Sequence, residues 1–313
     1  MNVIPDSINL PKQCRKYGLS LWQCPQFLFL ILCLVVIISS IAIYFIGVRY
    51  TQDPEIVVLI VLGVAAFIII IAYSITRSFE RLADVARMKS EFISIVSHQL
   101  RSPLASLKWT IDLLMSGKIS QSQEKQLTYL QALKENTQRM VNLVSDLLVV
   151  SRLETDNLPS KKEPVEIDSF VRNIVSAFLP LSKASNVEIK TSFPPDLPQI
   201  LSDCSQLSLI IENLLDNSIR YIKSKGLVEV RAEKRSGSLY LEFKDNGIGV
   251  SADDQKYIFQ KFFRGENALR QQAHGSGLGL YIAKAAVRKL GGKIGFISQE
   301  GKGSVFWVTL PIS

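Results

Sequence analysis

Two long apolar segments near the start of the sequence predict a pair of membrane-spanning helices. Residues 27–48 and 56–76 each continue for more than twenty positions without a charged side chain. At about 1.5 Å rise per residue, either segment is long enough to cross a hydrocarbon core of ~30 Å. The first segment exceeds the roughly 7–15 apolar residues of a signal peptide, and no A-x-A-like cleavage site follows it. We therefore expect a transmembrane hairpin over 27–76.

The distribution of basic residues predicts how this hairpin is oriented. Basic side chains precede the first segment and follow the second, whereas the connecting loop, residues 49–55, carries one arginine and two acidic residues. Because Lys and Arg accumulate on the cytoplasmic side of membrane proteins, we expect both termini in the cytoplasm, with residues 1–26 as a cytoplasmic segment. A seven-residue loop is too short to fold as an external sensory domain. The expected location is the cytoplasmic (inner) membrane, in contact with its lipids.

Composition and charge narrow the classes of function. Hydrophobic residues make up 47% of the chain, which excludes a disordered protein, and the net charge is +8. Much of that basic excess flanks the apolar segments, and no basic patch interleaved with aromatic residues argues for direct nucleic-acid binding. Two histidines, His98 and His274, are too few for a histidine-rich metal site. The four cysteines show no C-x-x-C spacing, which is typical of reduced thiols facing the cytosol.

After the second apolar segment the chain becomes polar but keeps a helical period. Apolar residues recur at three- and four-residue spacing over 93–114, and Gly117 ends the pattern. Ser120 and Gln123 then form a candidate capping box for a second amphipathic helix, which runs toward Leu158. Because a single hairpin buries its apolar stripe poorly, the sequence predicts a homodimer that forms a four-helix bundle.

From about residue 164 the pattern changes to one of mixed helices and strands. Helices are predicted over 169–183, 203–222 and 278–290, and strands over 187–192, 227–234, 238–245, 293–298 and 303–310. A glycine-rich stretch that reaches residue 277 is expected to be irregular. This order predicts an α+β sandwich, in which helices cover one face of a mixed, mostly antiparallel sheet.

One histidine lies at an informative position on the first amphipathic helix. His98 is two residues from Leu100 of the apolar stripe, about 200° around a helix, so it is expected to point away from the buried face. It stands in the string S-H-Q-L-R-S-P-L, residues 97–104, in which Pro103 is expected to kink the helix. Taken alone, a helical histidine of this kind is more often an ordinary surface residue.

Four further strings in the C-terminal region carry candidate chemistry. Asn213 and Asn217 lie four residues apart on a predicted helix, and their amide oxygens suit a hard cation such as Mg²⁺. Asp245 begins a D-x-G-x-G string after a strand, and its carboxylate can accept a hydrogen bond from an exocyclic amine. A phenylalanine cluster with an adjacent arginine occupies residues 259–264. A G-x-G-x-G string, residues 275–279, leads into a helix, an arrangement that binds phosphate.

Each of these strings has an ordinary structural explanation when it is taken alone. Paired asparagines are often surface amides, an Asp-Asn-Gly sequence often forms a simple turn, and clustered phenylalanines often pack in a core. A glycine-rich string can also be a dinucleotide-binding loop, although that fold needs a preceding strand, and the residues before Gly275 are polar and irregular. The order of all five strings along one chain is far more specific than any one of them.

Together the five strings resemble the H, N, G1, F and G2 boxes of two-component sensor histidine kinases. The resemblance covers residues 83–313. It implies a signalling helix and a HisKA-type dimerisation and phosphotransfer domain over 77–158, followed by a GHKL-type ATP-binding domain over 159–313. P-loop and Ser/Thr/Tyr kinase motifs are missing from the sequence. A GHKL ATPase of the chaperone, mismatch-repair or topoisomerase type would share the ATP-binding fold but not the His98 hairpin.

The resemblance implies a role for each matching residue. His98 would accept the γ-phosphoryl group of ATP, Asn217 would coordinate Mg²⁺, and Asp245 would bind the adenine amino group. The phosphoryl group would then pass to an aspartate on the receiver domain of a separate response regulator. Further nucleotide contacts are implied for Asn213, Arg220, Tyr221, Gly247, Gly249, Phe259, Arg264, Gly275, Gly277, Leu278 and Gly279.

Two residues close to His98 depart from the family pattern. Gln99 stands where the family most often has Glu or Asp, whose carboxylate would orient the imidazole and stabilise its positive charge. We therefore expect slower autophosphorylation, and the alternative is a catalytically weak ATP-binding membrane scaffold or a phosphatase-biased sensor. Ser102 stands where family phosphatase activity usually relies on Thr or Asn; its hydroxyl is able to position water, and the sequence leaves both the presence and the loss of phosphatase activity open.

Overall fold

The computed structural model describes residues 25–50, 53–116, 123–154, 161–235, 237–271 and 275–312. The chain divides into two compact units, Met1–Val96 and Ser97–Ser313. The apolar helices lie in the first unit, and the residues with candidate chemistry lie in the second.

Two long apolar helices make up the described part of the first unit. Helix α1 spans Pro25–Tyr50, and helix α2 spans Pro54–Met115, so α2 ends in the second unit. Each contains a stretch that is long and apolar enough to cross a membrane, judged by length and composition. The two predicted segments lie within these helices. Gly47 of α1 lies against the side chain of Val57, so the two helices approach each other closely where they are joined.

Two amphipathic helices occupy the places predicted for the hairpin. Helix α2 ends at Met115, and helix α3 spans Gln123–Glu154. The predicted turn at Gly117 and the capping residue Ser120 lie outside the described residues, as does the predicted end near Leu158. The two helical periods in the sequence are therefore confirmed, whereas the features of their connection stay predictions.

Much of the apolar surface of this hairpin is exposed in the single chain. On α2, Leu104 is 57% exposed and Ile111 is 45% exposed, and on α3 Leu127 and Leu130 are 56% and 53% exposed. Burial of apolar surface stabilises a complex by roughly 25 cal/mol per Å². This stripe is the surface that the predicted homodimer would bury.

The remainder of the second unit is an α+β domain. Its elements are β1 (Glu163–Val165), α4 (Ile167–Ala184), β2 (Val187–Ser192), β3 (Ile200–Ser202), α5 (Cys204–Arg220), β4 (Gly226–Arg235), β5 (Ser238–Asp245), α6 (Glu266–Gln271), α7 (Gly279–Lys289), β6 (Lys293–Gln299) and β7 (Gly303–Pro311). Every helix and strand predicted in this region is present, and the ends differ from the predicted ones by at most two residues.

Five of the strands form one sheet in the order β2-β4-β5-β7-β6. Strands β2 and β4 are parallel and the other neighbouring pairs are antiparallel, which confirms the predicted mixed, mostly antiparallel sheet. Alternate residues of a strand point to the same face, and on β5 the buried set is Leu239, Leu241 and Phe243. Helices α4, α5 and α7 contact the sheet, so the core of the domain lies between the sheet and these helices.

Three short elements are not indicated by the sequence pattern. Strands β1 and β3 pair antiparallel as a separate two-stranded sheet, and each has three residues. Three residues are too few for an alternating pattern to stand out. Helix α6 lies within the glycine-rich stretch that was expected to be irregular, and it has six residues.

Candidate active site

Helix α5 is fixed in the core of the α+β domain and carries the two asparagines. Its apolar residues recur at helical spacing, and Leu207, Ile210 and Leu214 are fully buried. Asp203 caps the helix by accepting hydrogen bonds from two backbone N–H groups, at 2.9 and 3.2 Å. The cap and the buried face together set which side of α5 borders the neighbouring cleft.

Asn213 and Asn217 lie four residues apart on one face of α5, and both border that cleft. The side-chain amide of Asn213 donates to the carbonyl of Leu209 at 2.7 Å. A β-carbon added to Gly279 would lie 2.7 Å from Oδ1 of Asn213, so this asparagine packs directly against the first residue of α7. Asn213 therefore positions the start of α7, whereas Asn217 has the geometry to meet a ligand.

Asp245 ends β5 as a buried carboxylate that borders the cleft. Its Oδ1 accepts hydrogen bonds from the backbone N–H groups of Gly247, at 2.9 Å, and Ser304, at 3.2 Å. Burial raises the pKa of Asp245 to about 6, even though these hydrogen bonds favour the charged form. Because Oδ1 is engaged by the backbone, Oδ2 is the oxygen that an exocyclic amine of a ligand would reach.

Two glycines that border the cleft occupy positions no other residue could take without a rearrangement. Gly249 has a φ of 65°, and a β-carbon there would collide with the carbonyl oxygen of Gln299. Gly277 has a φ of 69°, and its β-carbon would lie 2.7 Å from the backbone carbonyl carbon of Phe262. Backbone therefore packs directly on backbone at both places, which explains glycine in these two strings.

Residues 275–279, here named the lid segment, border the cleft and lead into α7. The guanidinium of Arg264 donates to the carbonyls of Gly275, at 3.3 Å, and Ala268, at 3.4 Å. Arg264 therefore fixes the first residue of the lid segment. The backbone N–H groups at the start of α7 form an attractive site for phosphate, because the first turn of a helix leaves them without carbonyl partners.

Arg220 and Tyr221, at the end of α5, also border the cleft. Nε of Arg220 donates to Oδ2 of Asp216 at 2.5 Å, one helical turn earlier. The carbonyl of Tyr221 accepts a hydrogen bond from the backbone of Ile248 at 2.9 Å. This hydrogen bond joins the end of α5 to the loop that follows β5. The N and G1 strings therefore form one continuous wall of the cleft.

His98 is exposed on α2, as its position opposite the apolar stripe predicted. It borders the cleft together with Gln99, and one turn later with Ser102 and Pro103, so this face of α2 is turned toward the α+β domain. Pro103 lies inside the helix, and the kink expected there stays a prediction.

A single cleft of about 1090 Å³ brings most of the predicted residues together. Ligand pockets in proteins occupy roughly 300–1,000 Å³, so the cleft is large enough for a nucleotide. Its lining includes His98, Gln99, Ser102, Asn213, Asn217, Arg220, Tyr221, Asp245, Gly249, Arg264, Gly275, Gly277 and Gly279. The candidate phosphoacceptor therefore borders the same space as the candidate nucleotide-binding residues.

Three residues implied to contact nucleotide do not border this cleft. Phe259 packs edge-on against Phe296, with ring centroids 5.8 Å apart, so the core-packing explanation describes it. Leu278 is fully buried, and Gly247 donates its backbone N–H to the buried carboxylate at 2.9 Å. His274 lies outside the described residues.

The cleft also contains residues that the sequence patterns did not single out, among them Arg139, Asp146, Glu212 and Ser276. Burial raises the pKa of Asp146, and the nearby charge of Asp216 raises it further, whereas a hydrogen bond from Ser276 lowers it. Burial also raises the pKa of Glu212. The sequence signal for Asp146 is an acidic side chain within a mostly apolar stretch of α3.

Among the described residues, no group of three or more His, Cys, Asp or Glu side chains could hold a metal ion. Asn217 offers one amide oxygen at the cleft, and Mg²⁺ usually keeps several waters and takes the rest of its ligands from substrate phosphates. This donor set therefore fits a Mg²⁺ ion that arrives with a nucleotide.

Two stretches of the chain match known protein domains. Residues 88–156 match the His Kinase A (phospho-acceptor) domain, and residues 202–313 match the histidine kinase-, DNA gyrase B-, and HSP90-like ATPase domain. The first match contains His98, and the second contains Asn217, Asp245 and the lid segment.

Curated relatives that align with about three-quarters of this chain bear the names of sensor proteins or sensor histidine kinases. Sensor protein GacS of Pseudomonas syringae is 29% identical over 235 residues, which are 73% of this chain and 26% of that protein. Sensor histidine kinase WalK of Bacillus subtilis is 30% identical over 246 residues, 78% of this chain and 39% of that protein. This chain therefore spans about a quarter to two-fifths of the length of these curated relatives.

A solved structure shares the fold of the second unit. Histidine kinase ThkA, in complex with response regulator protein TrrA, superimposes with a TM-score of 0.58 over 75% of this chain and 64% of that chain, at 17% identity. The fold agrees with the two domain matches, and the five strings lie within the two matched ranges. The chain belongs to the two-component sensor histidine kinase family.

Proposed function

We propose that this chain is an ATP-dependent protein-histidine kinase that phosphorylates its own His98. The observation that carries the proposal is the shared cleft, which His98 borders together with Asn217, Asp245 and the lid segment. This position is expected of a phosphoacceptor, whereas an ordinary surface histidine is not required to border the same cleft as these residues.

Different residues of the cleft bind different parts of the nucleotide. Oδ2 of Asp245 accepts a hydrogen bond from the adenine amino group, and the backbone of the lid segment binds the phosphates. Asn217 would hold Mg²⁺ through its amide oxygen, and the ion would neutralise charge on the phosphate oxygens. Arg220 and Arg264 add positive charge along the same wall.

The chemical step moves one phosphoryl group. An unprotonated ring nitrogen of His98 forms a bond to the γ-phosphorus of ATP, the bond between that phosphorus and its bridging oxygen breaks, and ADP leaves. Such transfers depend on positioning and on charge neutralisation more than on covalent help from the protein. The lid segment, held at Gly275 by Arg264, borders the same cleft as the exposed acceptor and meets this requirement.

The phosphoryl group then passes to an aspartate on the receiver domain of a separate response regulator. Support comes from the family, and from ThkA, which was solved in complex with response regulator protein TrrA. His98 is exposed on the hairpin, so a receiver can approach it once the ATP-binding domain has moved away.

The same proposal includes the arrangement of the chain in the membrane. Residues 27–76 form a two-helix hairpin in the cytoplasmic membrane, both termini lie in the cytoplasm, and residues 77–158 form the signalling helix and the dimerisation hairpin of a homodimer. Helix α2 supports this arrangement because its range, Pro54–Met115, includes both an apolar stretch and His98. Residues 159–313 form the catalytic ATP-binding domain.

The test is phosphorylation of the full-length chain in lipid nanodiscs with γ-labelled ATP and Mg²⁺. We expect label on the protein that is lost in acid and retained in base, as a phosphohistidine requires. Absence of label in a preparation that binds ATP would favour the alternative of an ATP-binding membrane scaffold, in which the replacement of an acidic residue by Gln99 has abolished kinase activity.

The raised pKa of Asp245 predicts that ATP binding weakens in mild acid. Its folded pKa of about 6 means that the carboxylate is almost fully charged at pH 7.5 and about one-quarter charged at pH 5.5. If the adenine amine binds only the charged form, the dissociation constant of ATP rises about fourfold over this interval. The measurement is an ATP titration by calorimetry at both pH values.

Asp245→Asn is the matched control, because its neutral side chain keeps an acceptor oxygen and does not titrate. Its affinity for ATP is expected to be lower at pH 7.5, and the remaining pH dependence reports the titration of the ATP phosphates. Equal pH dependence in the two proteins would contradict the assigned role of the Asp245 charge.

A further inference from the structure

The lid segment is bound to the phosphoacceptor hairpin through one serine. The hydroxyl of Ser276 donates to Oδ2 of Asp146 on α3 at 2.7 Å. The same hydroxyl accepts a hydrogen bond from the backbone N–H of Leu278 at 3.2 Å. Asp146 on the hairpin and the start of α7 are therefore connected through a single oxygen atom.

A second contact of Ser276 reaches the other helix of the hairpin. Nε2 of Gln99 donates to the backbone carbonyl of Ser276 at 3.4 Å. Gln99 is the residue after His98, and Ser276 lies between the glycines at 275 and 277. The phosphoacceptor is thus one residue away from a side chain that contacts the middle of the lid segment.

A contact further along α3 joins the hairpin to the ATP-binding domain a second time. Glu154 accepts a hydrogen bond from the hydroxyl of Tyr281 at 2.7 Å and forms an ion pair with Lys261. Although desolvation raises the pKa of Glu154, the bonds from Lys261 and Tyr281 lower it overall. Eight residues, about 12 Å of helix, separate Asp146 from Glu154, and Val150 between them is 1% exposed.

We propose that Ser276 is a positioning residue whose bonds to Asp146 and Gln99 hold the lid segment of a chain beside the His98 of that same chain, so that phosphoryl transfer runs in cis. The proposal rests on the kinase function proposed above and adds its direction. No new covalent step is involved, because Ser276, Asp146 and Gln99 gain and lose no bond to phosphorus.

This placement gives a physical reason for the departure at Gln99. An ionised glutamate has only acceptor oxygens, so it could not donate to the carbonyl of Ser276. It would also place a second negative charge beside the Ser276–Asp146 pair. The glutamine amide can donate to the lid segment, and it therefore suits a chain that uses this residue to hold the lid.

The direction of transfer is tested by mixing two full-length variants in nanodiscs, His98→Gln, which lacks the acceptor, and Asn217→Ala, which has a strongly impaired ATP site. Each assembled dimer of mixed composition contains one intact ATP site and one intact acceptor, on different chains. Transfer in cis gives no label above that of the separate variants. In an equal mixture, half of the Asn217→Ala chains are in mixed dimers. Label per Asn217→Ala chain near half of the label per wild-type chain would therefore show transfer in trans and would overturn the proposal.

The role of Ser276 is tested by steady-state kinetics of Ser276→Ala, Asp146→Ala and the double variant, all as full-length chains. We expect each single variant to lower the maximal phosphorylation rate about tenfold with the KM for ATP within about twofold, and the double variant to be no slower than the singles. Asp146→Asn and Ser276→Thr keep an acceptor and a hydroxyl, respectively, and are expected to retain most of the wild-type rate.

Two results would overturn this positioning role. One is a rise in the KM for ATP with an unchanged maximal rate, which would make Ser276 a nucleotide contact only. The other is an effect of the double variant equal to the product of the two single effects, which would mean that the two side chains act independently. Failure of the wild-type protein to become labelled would contradict the kinase function, whereas a labelled wild type with an equally labelled Ser276→Ala would contradict this inference alone.

Discussion

His98→Gln is expected to abolish autophosphorylation while leaving nucleotide binding intact. His98 borders the cleft, and its ring nitrogen is the nucleophile of the proposed reaction, whereas glutamine has no comparable nitrogen. Removal of the group that forms the new bond removes the reaction itself, so the rate falls by at least about 1000-fold, to the detection limit. The measurement is incorporation of label from γ-labelled ATP into the full-length chain.

The control for this variant is its folding and its affinity for ATP. Because His98 is exposed, its replacement by another polar side chain should change the free energy of unfolding by about 0.5 kcal/mol or less. The dissociation constant of ATP should stay within about twofold of the wild-type value. Acid-labile label that persists in His98→Gln would locate the acceptor elsewhere, with His274 the other histidine of the chain.

Local patterns carried the parts of the fold that the sequence could predict. The hairpin helices and the elements of the α+β domain have long periodic stretches, and helix α5 shows why this suffices: a capping aspartate and a regular apolar face set its start and its orientation. The helical spacing of Asn213 and Asn217 then placed both at one cleft. Elements of three to six residues, such as β1 and α6, give no comparable signal.

The sequence does not show where each side chain points, and this limited the prediction of the site. Phe259 belongs to a motif of the nucleotide-binding domain, yet its ring packs on Phe296. The motif string alone could not distinguish a cleft residue from a core residue, because both are consistent with an aromatic cluster. Asn213 is a similar case, since its contacts with Leu209 and Gly279 depend on how α7 packs against α5.

Contacts between residues that are far apart in the sequence could not be predicted from it. Asp146 and Ser276 are separated by 130 positions, and their hydrogen bond depends on how the ATP-binding domain meets the hairpin. Gln99 illustrates the consequence. From the family pattern alone, Gln99 is a weaker substitute for an acidic residue. In the structure, its side-chain amide donates to the carbonyl of Ser276, which a carboxylate cannot do.

Asn217→Ala is expected to reduce autophosphorylation about 100-fold through loss of the proposed magnesium ligand. The side chain borders the cleft with an amide oxygen, and alanine offers no replacement ligand. A hundredfold loss corresponds to ~2.7 kcal/mol of transition-state stabilisation, a magnitude in keeping with removal of a ligand to an ion that neutralises phosphate charge. The measurement is the initial rate of labelling as a function of Mg²⁺ concentration at saturating ATP.

Asn217→Asp is the matched variant, because a carboxylate oxygen replaces the amide oxygen and also binds Mg²⁺. It should keep much more activity than Asn217→Ala and reach half its maximal rate at a similar Mg²⁺ concentration. Asn213→Ala is the comparison for packing. Its side chain contacts Leu209 and Gly279, so its substitution should lower the melting temperature while leaving the Mg²⁺ dependence unchanged. A normal Mg²⁺ dependence in Asn217→Ala, together with an altered one in Asn213→Ala, would exchange the roles assigned to the two asparagines.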